Sequence, residues 1–346
     1  MKTVAFIQEG AFIVKKGKIF SGMRPTGQLH IGHLSVIENW IRLQDEYDCV
    51  FGIVDWHALT TSFDDVQALQ RRIRDIALDW LSAGLDPEKS PIMVQSQVKE
   101  HAELHLLFSM MTPLSWLERV PTYKDQIQQF GAQGKDISMY GFLGYPLLQA
   151  ADILIYKATH VPVGQDQIPH IELSREVARR FNHLYQTEVF PEPQVLLSEV
   201  PLLPGIDNRK MSKSYGNDIA LSASSEEIKE KVRLMVTDPA RVRKTDLGNP
   251  DVCVVHTYHK IYNDGEVCDI GDQCRKAGIG CVACKQRLAA KLETILGPIR
   301  ERRAELLAKP GRVDEILAEG SLQARAKAAD TMEQVREAMG VRGVMD

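Results

Sequence analysis

The sequence predicts an α/β protein in which a Rossmann-type, doubly wound parallel sheet is followed by a helical C-terminal domain. Short apolar segments alternate with amphipathic segments through the first half of the chain, and this alternation is typical of parallel strands that helices connect. After about residue 222 the strand pattern fades, and long segments with helical periodicity follow. With 346 residues, the chain is long enough for one large domain or two ordinary ones.

The predicted elements can be placed in chain order. Strands are expected at residues 18–23, 49–55, 91–96 and 160–164. Residues 100–145 are expected to form a mostly helical insertion, and the other helices are expected at residues 31–47, 65–84, 168–185, 224–236, 281–308, 311–320 and 321–340. These elements divide the chain into an N-terminal extension of unknown role (1–18), a Rossmann-type domain (19–222) and a helical domain (223–346).

The composition narrows the classes of protein to consider. Hydrophobic residues make up 44% and charged residues 25%, as in ordinary globular proteins, and no run of 18 apolar residues predicts a membrane span. The first residues lack the pattern of a secretory signal because Gln8, Glu9 and Gly10 interrupt the apolar segment. We therefore expect a cytoplasmic protein. The net charge of −4 gives no overall attraction to DNA, and an RNA partner would need a local basic surface.

The stretch GQLHIGHLS carries two histidines where the first strand and its loop lead into a helix. At this edge of a doubly wound sheet, the start of a helix offers free backbone N–H groups to a phosphate. Gly32 has no Cβ and allows a flat adenine ring to lie against the backbone, and His30 and His33 are donors for phosphate oxygens. Taken alone, the tetrad is explained equally well by two histidines that only cap the helix.

The stretch NRKMSKSYGN carries Lys210 and Lys213 in a loop that also contains two serines. Such a loop can surround a polyphosphate and neutralise the charge of a departing phosphate group. For this loop alone, a solvated polar segment is the simpler interpretation. The two motifs gain weight because they occur together, in this order, at the beginning and end of the predicted sheet domain.

Together, His-Ile-Gly-His and Lys-Met-Ser-Lys-Ser resemble the two signatures of class I aminoacyl-tRNA synthetases. Further stretches are similar to those of bacterial tryptophanyl-tRNA synthetases: FSGMRPTGQLHIGH, VDWHALT, YPLLQAADILIY, VPVGQDQIPHIELSREVARRFN and RKMSKSYGN. The resemblance runs from about residue 19 to the C-terminus. It implies a ligase that activates L-tryptophan with ATP and Mg²⁺, transfers it to tRNA(Trp) and works as a homodimer.

The resemblance also implies a set of site residues. Those implied for catalysis are His30, His33, Lys210 and Lys213. Those implied for ATP binding are Arg24, Pro25, Thr26, Gly32, His33, Gly164, Gln165, Asp166, Val200, Lys210, Met211, Ser212, Lys213 and Ser214. Those implied for tryptophan binding are Phe20, His57, Tyr145, Gln149, Asp152 and Gln167. Many relatives have methionine where this chain has Gln149, which makes the expected pocket wall more polar.

Asp152 is the residue expected to select the amino acid. An indole ring has one polar atom, an N–H donor, and a pocket built around a hydrogen bond to that donor rejects analogues that lack it. An acid on a helix surface is the alternative interpretation. The neighbours Ala150, Ala151, Ile153 and Leu154 form an apolar run around Asp152, and this run favours burial.

Four cysteines, Cys253, Cys274, Cys281 and Cys284, suit a Zn²⁺ ion or a 4Fe–4S cluster, and their spacing alone does not decide between the two. Some bacterial tryptophanyl-tRNA synthetases carry a 4Fe–4S cluster on a C-x6-C-x2-C pattern with a distant fourth cysteine, and this chain resembles that subset. Cys268 is a spare that can replace Cys253. Because the cysteines lie far in sequence from both signatures, we expect them to hold an anticodon-facing loop rather than to act in catalysis.

Three other functions are open on the sequence alone. A tyrosyl-tRNA synthetase shares the fold and both signatures. A synthetase paralogue with a regulatory or redox-sensing role would bind ATP and tryptophan without charging tRNA, although the intact lysines of the second signature argue against it. A small-molecule nucleotidyltransferase needs only the first signature, so the second signature and the helical extension oppose it.

Overall fold

The computed structural model describes residues 14–132, 134–197 and 203–341, apart from the side chains of Thr122 and Ser214. In this part of the chain, five strands form one parallel sheet in the order β3-β2-β1-β4-β5. The strands are β1 (Lys18–Met23), β2 (Asp48–Ile53), β3 (Ile92–Val94), β4 (His160–Val163) and β5 (Gln194–Leu197). Because β1 has β2 on one side and β4 on the other, the strand order reverses beside β1, and such a reversal opens a crevice at the carboxyl ends of the strands.

Helices connect the strands and follow them. The helices of the sheet half are α1 (Leu34–Glu46), α2 (Asp55–Ser62), α3 (Leu69–Ala83), α4 (Glu100–Ser109), α5 (Leu114–Glu118), α6 (Pro121–Gly131), α7 (Tyr140–Leu154) and α8 (Ile168–Leu184). Those of the C-terminal part are α9 (Ser225–Leu234), α10 (Val254–Tyr262), α11 (Asp264–Arg275), α12 (Cys281–Leu307) and α13 (Arg312–Met339).

Local sequence explains where some of these helices begin and end. Gly84 takes a φ of +110°, a left-handed conformation that glycine adopts easily, and it ends α3. Ser224 accepts a hydrogen bond from the backbone N–H of Glu227, and the side chain of Glu227 accepts one from the N–H of Ser224. This reciprocal pair is a capping box, and it begins α9.

The sheet is buried on both faces. Alternate residues of a strand point to opposite faces, so neighbouring residues of β2 belong to different cores. Cys49, Phe51 and Ile53 of β2 belong to a core that also contains side chains of α1, α3 and α12. Val50, between them, belongs to a second core built with α4, α7, α8 and α13. Helices therefore cover the sheet from both sides, as a doubly wound fold requires.

The predicted fold class is confirmed, and the four predicted strands are present within a few residues of their expected bounds. The sequence pattern does not indicate β5, because this four-residue strand lies at the edge of the sheet and is only partly buried. The helices expected at 311–320 and 321–340 form one continuous helix, α13. The sequence analysis also did not predict helices α2, α10 and α11.

The C-terminal helices pack back onto the sheet half of the chain. Helix α12 contacts α3, and α13 contacts β3 and α4. Gly320 of α13 lies so close to β3 that a Cβ at this position would collide with the backbone of Ile92. The domain boundary near residue 222 stays a prediction, and residues 1–13 of the predicted extension lie outside the described residues.

None of the helices in the described part of the chain combines the length and the apolar composition that a bilayer span requires.

Candidate active site

A cavity of about 340 Å³ lies beside the carboxyl ends of β1, β2 and β4, where the strand order reverses. Doubly wound sheets bind their ligands at this position, and the volume is within the range of small-molecule sites. All the residues predicted for tryptophan binding line the cavity: Phe20, His57, Tyr145, Gln149, Asp152 and Gln167. Arg24 and Gly164, which were predicted for ATP binding, also line it.

Asp152 lies on α7, lines this cavity and is 1% exposed. Its Oδ1 accepts hydrogen bonds from Nε2 of Gln95 and Nδ1 of His101, both at 2.7 Å, and its Oδ2 accepts one from Nε2 of His57 at 2.8 Å. Burial acts to raise the pKa of this carboxyl group, but the hydrogen bonds and charges of His101 and His57 outweigh burial and lower the pKa to about 2. Asp152 is therefore a buried, ionised acceptor at neutral pH.

Aromatic side chains form part of the wall around this carboxylate. Phe20 lines the cavity and stacks on Tyr156, which lies behind it, with ring centroids 5.3 Å apart. His57 and Tyr145 meet edge to face, with centroids 6.5 Å apart. A flat apolar ring that carries one polar donor fits a site of this kind, in which apolar walls surround a few polar groups.

The first signature forms a short 3-10 turn, Ile31–His33, that leads directly into α1. The ring centroids of His30 and His33 lie 4.0 Å apart. Burial, followed by the influence of His33 and Lys213, lowers the pKa of His30 to about 3, and burial also lowers the pKa of His33. Both imidazoles are therefore neutral at pH 7, so each can donate to a phosphate oxygen only from the ring nitrogen that carries its proton.

Backbone hydrogen bonds join the segment after the second signature to the first signature. The N–H of Ile31 donates to the carbonyl of Ile219 at 2.8 Å, and the N–H of Leu221 donates to the carbonyl of Leu29 at 3.0 Å. At the same junction, Nζ of Lys213 lies 3.3 Å from the position that a Cβ would take at Gly27. The structure thus brings Lys213 beside the loop that precedes the two histidines.

Asn217 organises the loop of the second signature, a role that the sequence prediction did not assign to it. Its Oδ1 accepts the N–H of Ser212 at 2.8 Å, and its Nδ2 donates to the carbonyl of Lys210 at 3.1 Å and to Asp207 at 2.8 Å. Lys210 and Lys213 are both exposed. The sequence signal that could have indicated the role of Asn217 is its position directly after a glycine in a polar loop, because asparagine side chains commonly bond nearby backbone groups in turns.

The other residues predicted for ATP binding lie at the same edge of the sheet or outside the described residues. Those in the segments that follow β1 and β4 are Pro25, Thr26, Gln165 and Asp166. Met211, within the second signature, is buried. Val200 lies outside the described residues, and the side chain of Ser214 is not described either.

Gln95 and His101 are site residues that the sequence prediction missed. Both are fully buried and bond Asp152 from the side of β3 and α4. The signal that could have found them is their position, because Gln95 directly follows the buried strand β3 and His101 lies in the helix after it. Polar residues at the carboxyl end of a parallel strand often face the ligand crevice.

The four predicted metal ligands lie at the ends of neighbouring helices. Cys253 precedes α10, Cys274 is in the last turn of α11, and Cys281 and Cys284 are in the first turn of α12. Burial, with the nearby thiols of Cys253, Cys274 and Cys281, raises the pKa of Cys284 to about 12. Cys268 is exposed. The four cysteines that the spacing singled out thus lie around α10, which contacts both α11 and α12.

The arrangement of these thiols in the structure does not by itself form a metal site. Within the described residues, no group of three or more histidine, cysteine or acidic side chains is placed to hold a metal ion, and all the cysteines are free thiols. Cys274 is closely surrounded, because a Cβ at Gly248 would lie 2.5 Å from its Sγ and Nη1 of Arg241 lies 3.6 Å from the same atom. The iron–sulfur and zinc predictions thus stay predictions.

Comparisons with known proteins agree with the geometry of the site. The family of class I tRNA synthetases (W and Y) matches residues 15–297. The tryptophan–tRNA ligase of Thermotoga maritima is 54% identical over 328 residues, which cover 94% of this chain and 99% of that protein. The tryptophan–tRNA ligase of Deinococcus radiodurans is 44% identical over 331 residues, which cover 93% and 98%.

A solved structure is also similar over nearly the whole chain. The crystal structure of tryptophanyl-tRNA synthetase from Campylobacter jejuni, complexed with ADP and tryptophan, has a TM-score of 0.83 and 33% sequence identity. The match covers 93% of this chain and 99% of that one. The chain therefore belongs to the class I tRNA synthetases of the W and Y family.

Proposed function

We propose that the chain is a tryptophan–tRNA ligase, which activates L-tryptophan with ATP to give tryptophanyl-adenylate and pyrophosphate and then charges tRNA(Trp). The observation that carries this function is the ionised carboxylate of Asp152, buried beside a cavity of about 340 Å³. An acceptor in this place matches the single N–H donor of an indole ring. The two relatives named tryptophan–tRNA ligase, at 54% and 44% identity, support the same substrate.

In the first step, an oxygen of the tryptophan carboxylate attacks the α-phosphorus of ATP. A P–O bond forms, the bond to the β-phosphate breaks, and pyrophosphate leaves with the electron pair. The attacking carboxylate is ionised at neutral pH, so no residue has to remove a proton. Catalysis then depends on positioning the reactants and neutralising phosphate charge. Mg²⁺ enters with ATP as part of that substrate.

The residues of the two signatures divide this work. Lys210 and Lys213 supply positive charge to the departing pyrophosphate. His30 and His33 contact the α-phosphate region as neutral donors, because burial lowers the pKa of both. The backbone hydrogen bonds at Ile31 and Leu221 support this division, since they keep both signatures at one junction.

The cavity residues hold the amino acid for this attack. Tyr145 and Gln167 face the ammonium group of tryptophan, Phe20 and His57 contact the indole ring, and Asp152 accepts its N–H. Gln149 replaces an apolar wall with an amide, so we expect tolerance of polar substituents on the ring. ATP extends from Arg24 and Gly164 towards the second signature.

In the second step, a ribose hydroxyl of the 3′-adenosine of tRNA attacks the carbonyl carbon of the adenylate. An ester bond forms, the mixed anhydride bond breaks, and AMP leaves with its phosphate taking up the proton of the hydroxyl. The helical C-terminal part is proposed to contact the anticodon. This assignment follows the family resemblance, and the basic residues of the helices are suitable partners for tRNA phosphates.

Cys253, Cys274, Cys281 and Cys284 are proposed to hold a 4Fe–4S cluster, with Zn²⁺ as the alternative. Four thiols suit both groups, and the contacts of α10 with α11 and α12 support a common site for them. The N–H of Arg241 near Sγ of Cys274 suits a sulfur that becomes a thiolate ligand. The bound group would link the ends of α10, α11 and α12 and would take no part in the reaction.

A homodimer is proposed from the family resemblance, and the surface of the helical insertion supports it. Large apolar side chains between residues 106 and 140 are exposed by 44% to 69%, namely Leu106, Met110, Leu114, Met139 and Tyr140. Burying such side chains in a subunit interface is favourable. Sedimentation should give twice the chain mass, and a monomer at micromolar concentration would contradict the proposal.

The function is tested by ATP–pyrophosphate exchange with tryptophan and tyrosine in turn, followed by aminoacylation of tRNA(Trp). We expect exchange with tryptophan, little exchange with tyrosine, and charging of tRNA(Trp). Preference for tyrosine would identify a tyrosyl-tRNA synthetase. Binding of ATP and tryptophan without charging would identify a regulatory paralogue.

A further inference from the structure

The hydrogen bonds around Asp152 extend one layer beyond the cavity. Nε2 of His101 lies 2.7 Å from the hydroxyl of Tyr156, while Nδ1 of the same ring bonds Oδ1 of Asp152. The amide of Gln95 bonds the carboxylate through Nε2 and accepts the N–H of Trp56 through Oε1 at 3.1 Å. His101, Gln95 and Tyr156 are buried, and none of the three lines the cavity.

The ionised carboxylate fixes the direction of the hydrogen bonds that the two imidazoles make to it. An ionised carboxylate only accepts, so Nδ1 of His101 and Nε2 of His57 must carry the protons that face Asp152. The other ring nitrogen of His101, Nε2, has the hydroxyl of Tyr156 as its hydrogen-bond partner. Burial raises the pKa of Tyr156 well above 10, which keeps this hydroxyl protonated.

The same contacts divide the two oxygens of the carboxylate. A carboxylate has about four acceptor positions, two on each oxygen. Oδ1 uses both of its positions on Gln95 and His101, whereas Oδ2 uses one on His57. One acceptor position on Oδ2 is left for a donor in the cavity, which Asp152 and His57 both line.

We propose that Gln95, His101 and Tyr156 are positioning residues for amino-acid specificity, which saturate Oδ1 of Asp152 and aim Oδ2 at the indole N–H. This inference rests on the proposed function. The three residues do not touch the substrate and act through the carboxylate. They fix its orientation and keep it ionised in a buried place, where an unpaired charge would be costly.

The test measures how well the site distinguishes tryptophan from β-(3-benzothienyl)alanine, in which sulfur replaces the indole N–H and the shape is kept. The measured quantity is the dissociation constant of this analogue divided by that of tryptophan. KM and kcat for tryptophan in pyrophosphate exchange are measured alongside. A residue that only supports packing affects both ligands equally, because their shapes agree. A residue that positions Asp152 lowers the ratio, because only tryptophan donates to Oδ2.

Tyr156→Phe removes one hydroxyl and keeps the ring that stacks on Phe20. We expect the ratio to fall about five-fold, the effect of one hydrogen bond, with a higher KM for tryptophan and nearly unchanged kcat. Tyr258→Phe is the matched control, since its buried hydroxyl bonds the carbonyl of Pro204 at 2.8 Å, away from the cavity. It should leave the ratio unchanged.

Substitutions of His101 separate its two nitrogens. The amide nitrogen of an asparagine can take the place of Nδ1, so His101→Asn should keep most of the discrimination. His101→Gln offers a donor only near the position of Nε2, so Oδ1 of Asp152 loses one hydrogen bond. The ratio should then fall about ten-fold or more, because a buried polar group is left without a partner. If Tyr156→Phe and His101→Gln fold but keep the wild-type ratio, the inference is wrong. If the wild type itself does not activate tryptophan, the proposed function fails instead.

Discussion

Arg303 and Asp79 connect helix α12 to the loop that precedes the first signature. Nη1 of Arg303 donates to Oδ1 of Asp79 at 2.6 Å, and Oδ2 of the same carboxylate accepts the backbone N–H of Leu29 at 2.6 Å. Both side chains are buried. Leu29 directly precedes His30, so the C-terminal part of the chain supports the first signature, where ATP is proposed to bind, through one carboxylate.

Arg303→Met should therefore destabilise the protein and weaken ATP binding more than tryptophan binding. Removing one partner of a buried ion pair costs about 3–5 kcal/mol, because the other charge stays buried without compensation. Urea unfolding measures the first effect, and the KM values for the two substrates measure the second. Arg312→Met is the control, since its pair with Glu315 is exposed and such pairs are worth at most about 1 kcal/mol. Equal losses in the two variants would contradict the role of Arg303.

Lys213→Ala should lower the rate of pyrophosphate exchange by about 100-fold or more, with little change in the dissociation constant of tryptophan. In the proposed mechanism the lysine neutralises charge that develops on the leaving pyrophosphate, and such groups contribute to the transition state rather than to ground-state binding. Lys229→Ala, at an exposed position on α9, should leave exchange unchanged. Loss of tryptophan affinity in step with the rate would count against a transition-state role.

Asp152 should make the free energy of unfolding depend on pH in the acid range. Its folded pKa of about 2 lies below the ordinary value of 3.8, so the folded state binds fewer protons than the unfolded state between these values. The stability that results is present above about pH 4 and is lost as the pH falls towards 2. Urea unfolding at pH 5, 4 and 3 should show the advantage of wild type over Asp152→Asn shrinking as the pH falls. A stability difference between the two proteins that stays constant over this pH range would contradict the low pKa of Asp152.

The cysteine site can be tested by comparing two substitutions. Iron and zinc analysis and visible absorption should detect the proposed metal in the wild type. Cys274→Ser should lose this metal, whereas Cys268→Ser should keep it because Cys268 is exposed. Both variants should form tryptophanyl-adenylate at close to the wild-type rate, since the thiols lie in the helical part. A folded Cys274→Ser protein without adenylate formation would show that the site acts in catalysis after all.

Gly320→Ala should destabilise the packing of α13 on the sheet. The new Cβ would collide with the backbone of Ile92, which cannot move aside as a side chain can, and overpacking of this kind costs about 3 kcal/mol. Gly265→Ala on α11 is the control, since its Cβ would meet no atom within 4 Å. The control should be as stable as wild type or more stable by up to about 1 kcal/mol, because alanine favours helix. Similar unfolding midpoints in urea would contradict the close contact.

The parts of the molecule that could be predicted are those encoded by neighbouring residues. Alternating apolar strands and amphipathic helices predicted the fold class, and the two signatures predicted which loops meet at the carboxyl ends of the strands. The apolar run around Asp152 predicted its burial, and the structure places it at 1% exposure. Strand β5 was not predicted, because four partly buried residues show too little hydrophobic periodicity to indicate a strand.

By itself, the sequence determined the fold class, the two signatures and the acid of the cavity, because each depends on a short pattern of residues close together in the chain. Only the tertiary structure decided which groups surround them. The donors to Asp152 come from 51 to 95 positions away, and Arg303 reaches Asp79 across 224 positions. Contacts at such separations depend on how the helices pack against the sheet, and a local pattern of residue types does not specify that packing.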